Sequence, residues 1–220
     1  MINRIIFFAL IATLISENAS GFDEADSHPR ITRRAISSSA FNNYLNLNLS
    51  WSAGYDTEIT ETLDNATIKK PVLAWLRDGS SQEDKPLCRA GNHFHNPLML
   101  WNESSVNDFK LQNIWCGTVW GTLFSNVTWA TGYLAPPPNG DKANLYYDPY
   151  LDPPAPNNWD SARIYYYKAL TKTDTETRET NFAKTFQAVG MVMHLLEDMA
   201  VPAHVRNDFT SHLIFSGVST

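Results

Sequence analysis

The segment from Phe182 to Pro202 constrains the fold more than any other. Phe182, Phe186, Val189, Met193, Leu196 and then Met199 or Ala200 recur at spacings of three and four, the repeat that lines up side chains on one face of an α-helix. Pro202 lacks the amide hydrogen needed to continue it and marks its end. A Thr-rich polar stretch precedes this segment, and Asp160 to Leu170 predicts another helix before that. Nearer the amino end, Ile31, Ala35, Ile36, Phe41, Tyr44 and Leu45 give a roughly helical spacing over Ile31 to Leu47. Ser27-His28-Pro29 supplies its start, a capping residue type followed by proline in the first turn. Ile68 to Leu76 predicts a short helix closed by Asp78-Gly79. Ser50 to Thr62 reads as loop, and Gly79 to Pro97, with Pro86, Gly91 and Pro97, as an ordered loop. Asn107 to Trp129 is apolar and suits helix or strand. Pro136 to Pro156 carries seven of the 12 prolines and reads as a long connection. The expected fold is all-α: a single helical domain over residues 22–220 with long ordered loops on one face.

Composition narrows the functional classes. Hydrophobic residues are 43% and charged residues 18% of the 220, a globular balance. Net charge is −6 with no basic tract, which argues against stable binding of duplex nucleic acid. Arg4, the apolar run Ile5 to Ile15 and small residues Ala19-Ser20-Gly21 have the order of a cleaved export signal over residues 1–21. An uncleaved anchor is the alternative, although eleven residues fall short of the about 20 that span a bilayer. No later segment reads as transmembrane. The expected location is therefore secreted or periplasmic, where Cys88 and Cys116 can pair or remain two buried thiols. Neither belongs to a Cys-x-x-Cys unit, which argues against a thiolate zinc site. The seven tryptophans read as core.

Six histidines are present. His194 and Asp198 are four apart, so both project from one helix face a turn apart and can grip one metal ion. Without a metal they would form a plain helix-face pair. His204 lies just past Pro202 and can turn back toward the same place. The whole string is His194-x3-Asp198-x3-Pro202-x-His204-x2-Asn207. It resembles the signature of bacterial zinc-dependent phospholipases C and their single-strand nuclease relatives. Leu195 and Glu197 stand where that family usually has an aromatic and a small residue.

The resemblance extends upstream. Gly79-x4-Asp84 and His93-Phe94-His95-Asn96-Pro97 match, in order, stretches that carry an Asp and a His ligand, so it implies Asp84 and His93 as ligands. His95 takes the place of a family aromatic and is expected in the site wall or behind the ligands; the alternative makes His95 the ligand. The resemblance also implies that Phe22, as the mature terminus, and His28 bind a further ion. Phe22 stands where the family usually has Trp. The implied set is Asp84, His93, His194 and Asp198 on one zinc, with Asp198 bridging to an ion held by His28 and Phe22, and His204 on a third. Such clustered ions make hydroxide available near neutral pH and offset charge on phosphate. Asp84 and Asp198 are thereby the expected catalytic carboxylates, and two or three Zn2+ ions the cofactor. Glu197 and Asn207 are candidates for supporting roles, while Asp78, Glu83 and Glu197 otherwise read as solvated carboxylates.

The family's downstream His-x3-Glu pair for the third ion does not occur in the sixteen residues after His204; His212 has Ser216 at the fourth place. The expectation is a C-terminally incomplete chain or a differently held ion. The implied function is hydrolysis of phosphodiesters, in phospholipids by preference. A single-strand nuclease of the same chemistry, and a zinc-binding relative without turnover, are the alternatives. The oligomeric state is not encoded in these motifs.

Overall fold

The computed structural model describes residues 24–63, 66–85, 87–100, 124–132 and 158–208. Among them are α1 (Glu24–Ser38), α2 (Phe41–Leu49), β1 (Glu58–Leu63), β2 (Ala66–Pro71), α3 (Val72–Gln82), α4 (Asn126–Thr131), α5 (Trp159–Thr171), α6 (Thr175–Asp198) and α7 (Pro202–Val205), with short 3-10 turns at Gly54–Asp56 and Leu87–Asn92. The protein is broadly all-α, as expected, with one small antiparallel hairpin. No described helix is long and apolar enough to cross a membrane. The expected export signal, Phe22, His212, Pro136 to Pro156, Cys116 and the Cys88 side chain lie outside the described residues.

Helix α6 is the organising element. Asp174 caps its start by accepting a hydrogen bond from the Thr177 amide at 2.7 Å. The Thr-rich stretch is therefore the helix's first turns rather than a linker before it. One stripe of buried residues runs its length: Phe182, Phe186, Gly190, His194 and Asp198, each four residues after the last. The apolar repeat seen in the sequence follows this stripe only in the first half. Val189 and Met193 pack at the edge of the core, and Leu196 is 72% exposed. The helix ends at Asp198, and Pro202 opens α7 rather than closing α6; a proline tolerates the first turn because its missing amide has no partner there anyway.

The first half of α6 packs against α3, β1 and α5, burying Leu45, Ile59, Trp75, Leu76, Phe182 and Phe186 in one cluster. Burial of each such side chain contributes on the order of 2 kcal/mol. Trp75 and Trp129 are buried as expected, but Trp159 is half-exposed. Two glycines bring α3 and α6 into backbone contact. A Cβ on Gly79 would lie 2.0 Å from the Gln187 carbonyl oxygen, and one on Gly190 2.0 Å from that of Leu76. Gly79 is thus a helix-crossing residue inside α3, not the helix stop expected from Asp78-Gly79.

Four further expectations are corrected. Pro29 lies inside α1, not in its first turn. The expected Ile31–Leu47 helix is two, because the Ser39 hydroxyl donates to the Ile36 carbonyl at 2.8 Å and accepts the Phe41 amide at 3.2 Å, ending one helix and starting the next. The expected loop Ser50–Thr62 contains β1. The expected helix from Ile68 begins as strand β2, paired Ile59 to Lys70 and Glu61 to Ile68. The hairpin forms because α6 covers its outer edge: the Thr60 and Thr62 amides donate to the Glu179 carboxylate and the Thr180 hydroxyl, at 3.0 and 3.1 Å.

Candidate metal centre

The site lies where α3 and α6 end. Asp84 follows α3 by two residues, and Asp198 is the last residue of α6. Both helices therefore direct their partially negative carboxyl ends at one volume that also holds Asp84, Glu197 and Asp198, an arrangement that favours a cation. His93 enters from the turn after Leu87–Asn92, His28 from the inner face of α1, and His204 from α7. His28, His93, His194, Asp198 and His204 are all buried.

Four donor atoms converge. Asp84 Oδ1 lies 3.3 Å from His93 Nδ1 and 3.6 Å from His194 Nε2. Asp198 Oδ2 lies 2.9 Å from His93 Nδ1 and 3.4 Å from His194 Nε2. Asp198 Oδ2 and His194 Nε2 are nevertheless buried without an aligned hydrogen bond, as expected of atoms that face a common ion rather than one another. The second carboxylate oxygen, Asp198 Oδ1, lies 3.6 Å from both His28 Nε2 and His204 Nδ1. Among the described residues, two groups are compact enough to hold an ion: Asp84, His93 and His194, and His28, His194 and Asp198. Their donor chemistry, imidazole nitrogen plus carboxylate oxygen in a largely dry volume, suits a divalent metal.

The ring orientations follow from the nitrogens that face away. Ser80 is one of the last residues of α3, so its carbonyl has no partner within the helix. It accepts the Nδ1–H of His194 at 2.7 Å, which leaves Nε2 as the free lone pair. The glycine contact between α3 and α6 brings this carbonyl into reach. Glu197 Oε2 meets His28 Nδ1 at 2.9 Å, and its Oε1 accepts the Thr32 hydroxyl at 2.9 Å. Glu197 is therefore a buttress of His28 and not a solvated carboxylate. His204 Nδ1 bonds the His93 carbonyl at 3.1 Å, and its ring stacks on Phe94 with centroids 4.6 Å apart. His204 thus sits at the rim of the cluster, outside both compact groups.

Electrostatics mark the same residues. Burial alone would push the His93 imidazole down, but Asp198, Glu83 and Asp84 outweigh it and push it up to about 10. His194 is raised too: burial opposes its charge, and the neighbouring Asp198 and Asp84 carboxylates outweigh it. Burial disfavours the Asp198 carboxylate, yet His93 and His194 hold it well below the usual range. In the ion-free protein, protons on imidazoles partly fill the role of a cation.

The remaining expectations divide. His95 is half-buried, and its amide donates to the His204 carbonyl at 3.1 Å. Asn207 adopts a left-handed φ of 55° just after α7. Asp78 is not free in solvent but pairs with Lys70. Glu83 contradicts the expectation of a solvated carboxylate most fully: it is completely buried, between Arg89 and Trp129. Sequence reasoning missed it because partners six and 46 residues away leave no local pattern. No known protein family, curated protein or solved structure matches the chain.

Proposed function

We propose that this chain is an exported, zinc-dependent phosphodiester hydrolase of the phospholipase C kind. The observation that carries the reading is that Asp84 Oδ1 and Asp198 Oδ2 each lie 2.9–3.6 Å from both His93 Nδ1 and His194 Nε2. Zinc bonds of about 2.0–2.1 Å give tetrahedral ligand edges of about 3.3 Å, and these carboxylate-to-imidazole separations lie close to that edge. Asp198 turns its other oxygen toward His28 Nε2, with which it and His194 form the second compact group, and so supports a second ion, with the Phe22 amine as a proposed further ligand and His204, at the rim, as a candidate for a third.

When bound, zinc supplies Lewis acidity, which activates water and offsets charge developing on phosphate. The chain's own residues supply the rest. Ser80 and Glu197 fix the His194 and His28 rings, Asp84 and Asp198 contribute the negative charge that retains the ions, and burial keeps bulk water from the ligands. Leu98, Met99 and Leu100 follow His93 closely in sequence and are 91%, 47% and 67% exposed. An exposed apolar run this near a proposed ligand in sequence suits a lipid-borne phosphate better than a soluble nucleic acid.

The test is turnover of bis(p-nitrophenyl) phosphate and of phosphatidylcholine vesicles, with zinc measured on the same samples. Chelation should abolish both activities and zinc should restore them. His194→Ala and Asp198→Ala should each remove zinc and turnover together. Full zinc retention in both variants would refute the site, and zinc binding without turnover would leave a binding protein.

A further inference from the structure

Glu83 precedes the proposed ligand Asp84, yet the two side chains go to opposite sides of one imidazole. Asp84 Oδ1 faces His93 Nδ1 at 3.3 Å, and Glu83 Oε1 faces His93 Nε2 at 3.8 Å. The Glu83 carboxylate is fixed independently of His93. Its Oε2 accepts Arg89 Nη2 at 2.7 Å, and its Oε1 accepts the Trp129 indole N–H at 2.6 Å. Arg89 also donates through Nε to the Glu83 carbonyl at 2.9 Å, and its guanidinium lies 5.1 Å from the Trp129 ring centroid. All three side chains are fully buried.

Among the site imidazoles, His93 stands apart. His194 has a nitrogen on the Ser80 carbonyl, His204 on the His93 carbonyl and His28 on Glu197. His93 Nε2 is buried with no hydrogen bond, and the charged oxygen it faces is that of Glu83. The gap is about 0.8 Å longer than an ordinary N–H···O bond near 3.0 Å. A buried ion pair is a poor source of stability compared with apolar packing, so its position directly behind a ligand is better accounted for by the site than by the fold.

We infer that Glu83, clamped by Arg89 and Trp129, is the positioning residue of His93: it accepts the Nε2–H and thereby reserves Nδ1 for the metal. This rests on the reading of the cluster as a divalent-metal site and adds an assignment to it. Loss of a carboxylate behind a metal-bound histidine typically lowers affinity about 10- to 100-fold.

The experiment uses the full chain and needs no turnover. Zinc affinity is measured by competition for wild type, Glu83→Gln and the double variant E83Q/R89M, which removes the orphaned arginine charge. Both variants should bind zinc about 10- to 100-fold more weakly than wild type. Wild-type affinity in either folded variant overturns the inference. Should neither variant fold, 15N-histidine NMR of the cadmium-loaded wild type decides. Cadmium on His93 Nδ1, with a slowly exchanging Nε2 proton close to the Trp129 indole proton, supports the assignment. Coordination through Nε2, or an Nε2 proton open to solvent, overturns it. Failure of the wild type to bind either ion would refute the metal-site reading itself, a result distinct from the others.

Discussion

The two halves of α6 bury the same stripe and use it for opposite purposes. In the first half, Phe182 and Phe186 fill a core with Trp75, Leu76 and Ile59. In the second half, His194 and Asp198 occupy the continuing positions, equally buried but ionisable. The crossing at Gly190 divides them. The first half draws stability from removing apolar surface from water. The second keeps charge in a dry volume, which is unfavourable unless opposite charge compensates it. A single helix thus carries an apolar, stabilising half and a half whose buried ionisable side chains could hold a metal ion.

The largest expected effect breaks the halves apart. Phe186→Ala should lower unfolding free energy by about 3–5 kcal/mol, read from urea denaturation, while the folded fraction keeps its zinc affinity. A parallel loss of zinc affinity would show that the halves are not separable. Gly190→Ala acts on the boundary and should move both readouts. Separating α3 from α6 should lower stability by about 1–3 kcal/mol and weaken zinc binding, because the Ser80 carbonyl would no longer hold His194. A stability change alone would dissociate the crossing from the site.

The effect of pH reports on the second half. His93 is raised in the folded ion-free protein, from 6.5 to about 10. Its contribution to ion-free stability is complete below about pH 6.5 and disappears as pH rises through about 10. Asp198 is depressed from its ordinary 3.8, so its contribution is present above that value and fades as acid protonates it. Zinc must displace the His93 proton, so zinc affinity should rise about tenfold per pH unit between neutrality and pH 9. A flat profile in zinc competition would place the proton elsewhere. The smallest effect is expected at the outer face of α1: Arg30→Ala loses an exposed pair with Asp26, costs under about 0.5 kcal/mol and leaves zinc binding unchanged in the same titration.

The sequence was most legible where a repeat and a chemical type coincide. Phe182 and Phe186 announced the helix, and His194 with Asp198 announced the cluster on it. Leu196 misled, because apolar spacing alone does not record that the buried face has passed to His194 and Asp198. The β1–β2 hairpin was hidden by its polar composition, since Glu179 and Thr180 of a distant helix satisfy its edge. Gly79 was misread as a stop because the reason for a glycine there, the backbone of Gln187, lies more than a hundred residues away. Glu83 and Glu197 resembled surface carboxylates until their partners Arg89, Trp129, His28 and Thr32 came into view.

Anomalous diffraction at the zinc edge, from crystals of the full chain equilibrated with zinc, locates the ion itself. A strong peak is expected within bonding distance of Asp84 Oδ1, His93 Nδ1, His194 Nε2 and Asp198 Oδ2. A crystal saturated with zinc that shows density for these four side chains and no anomalous peak among them would contradict the metal-site reading.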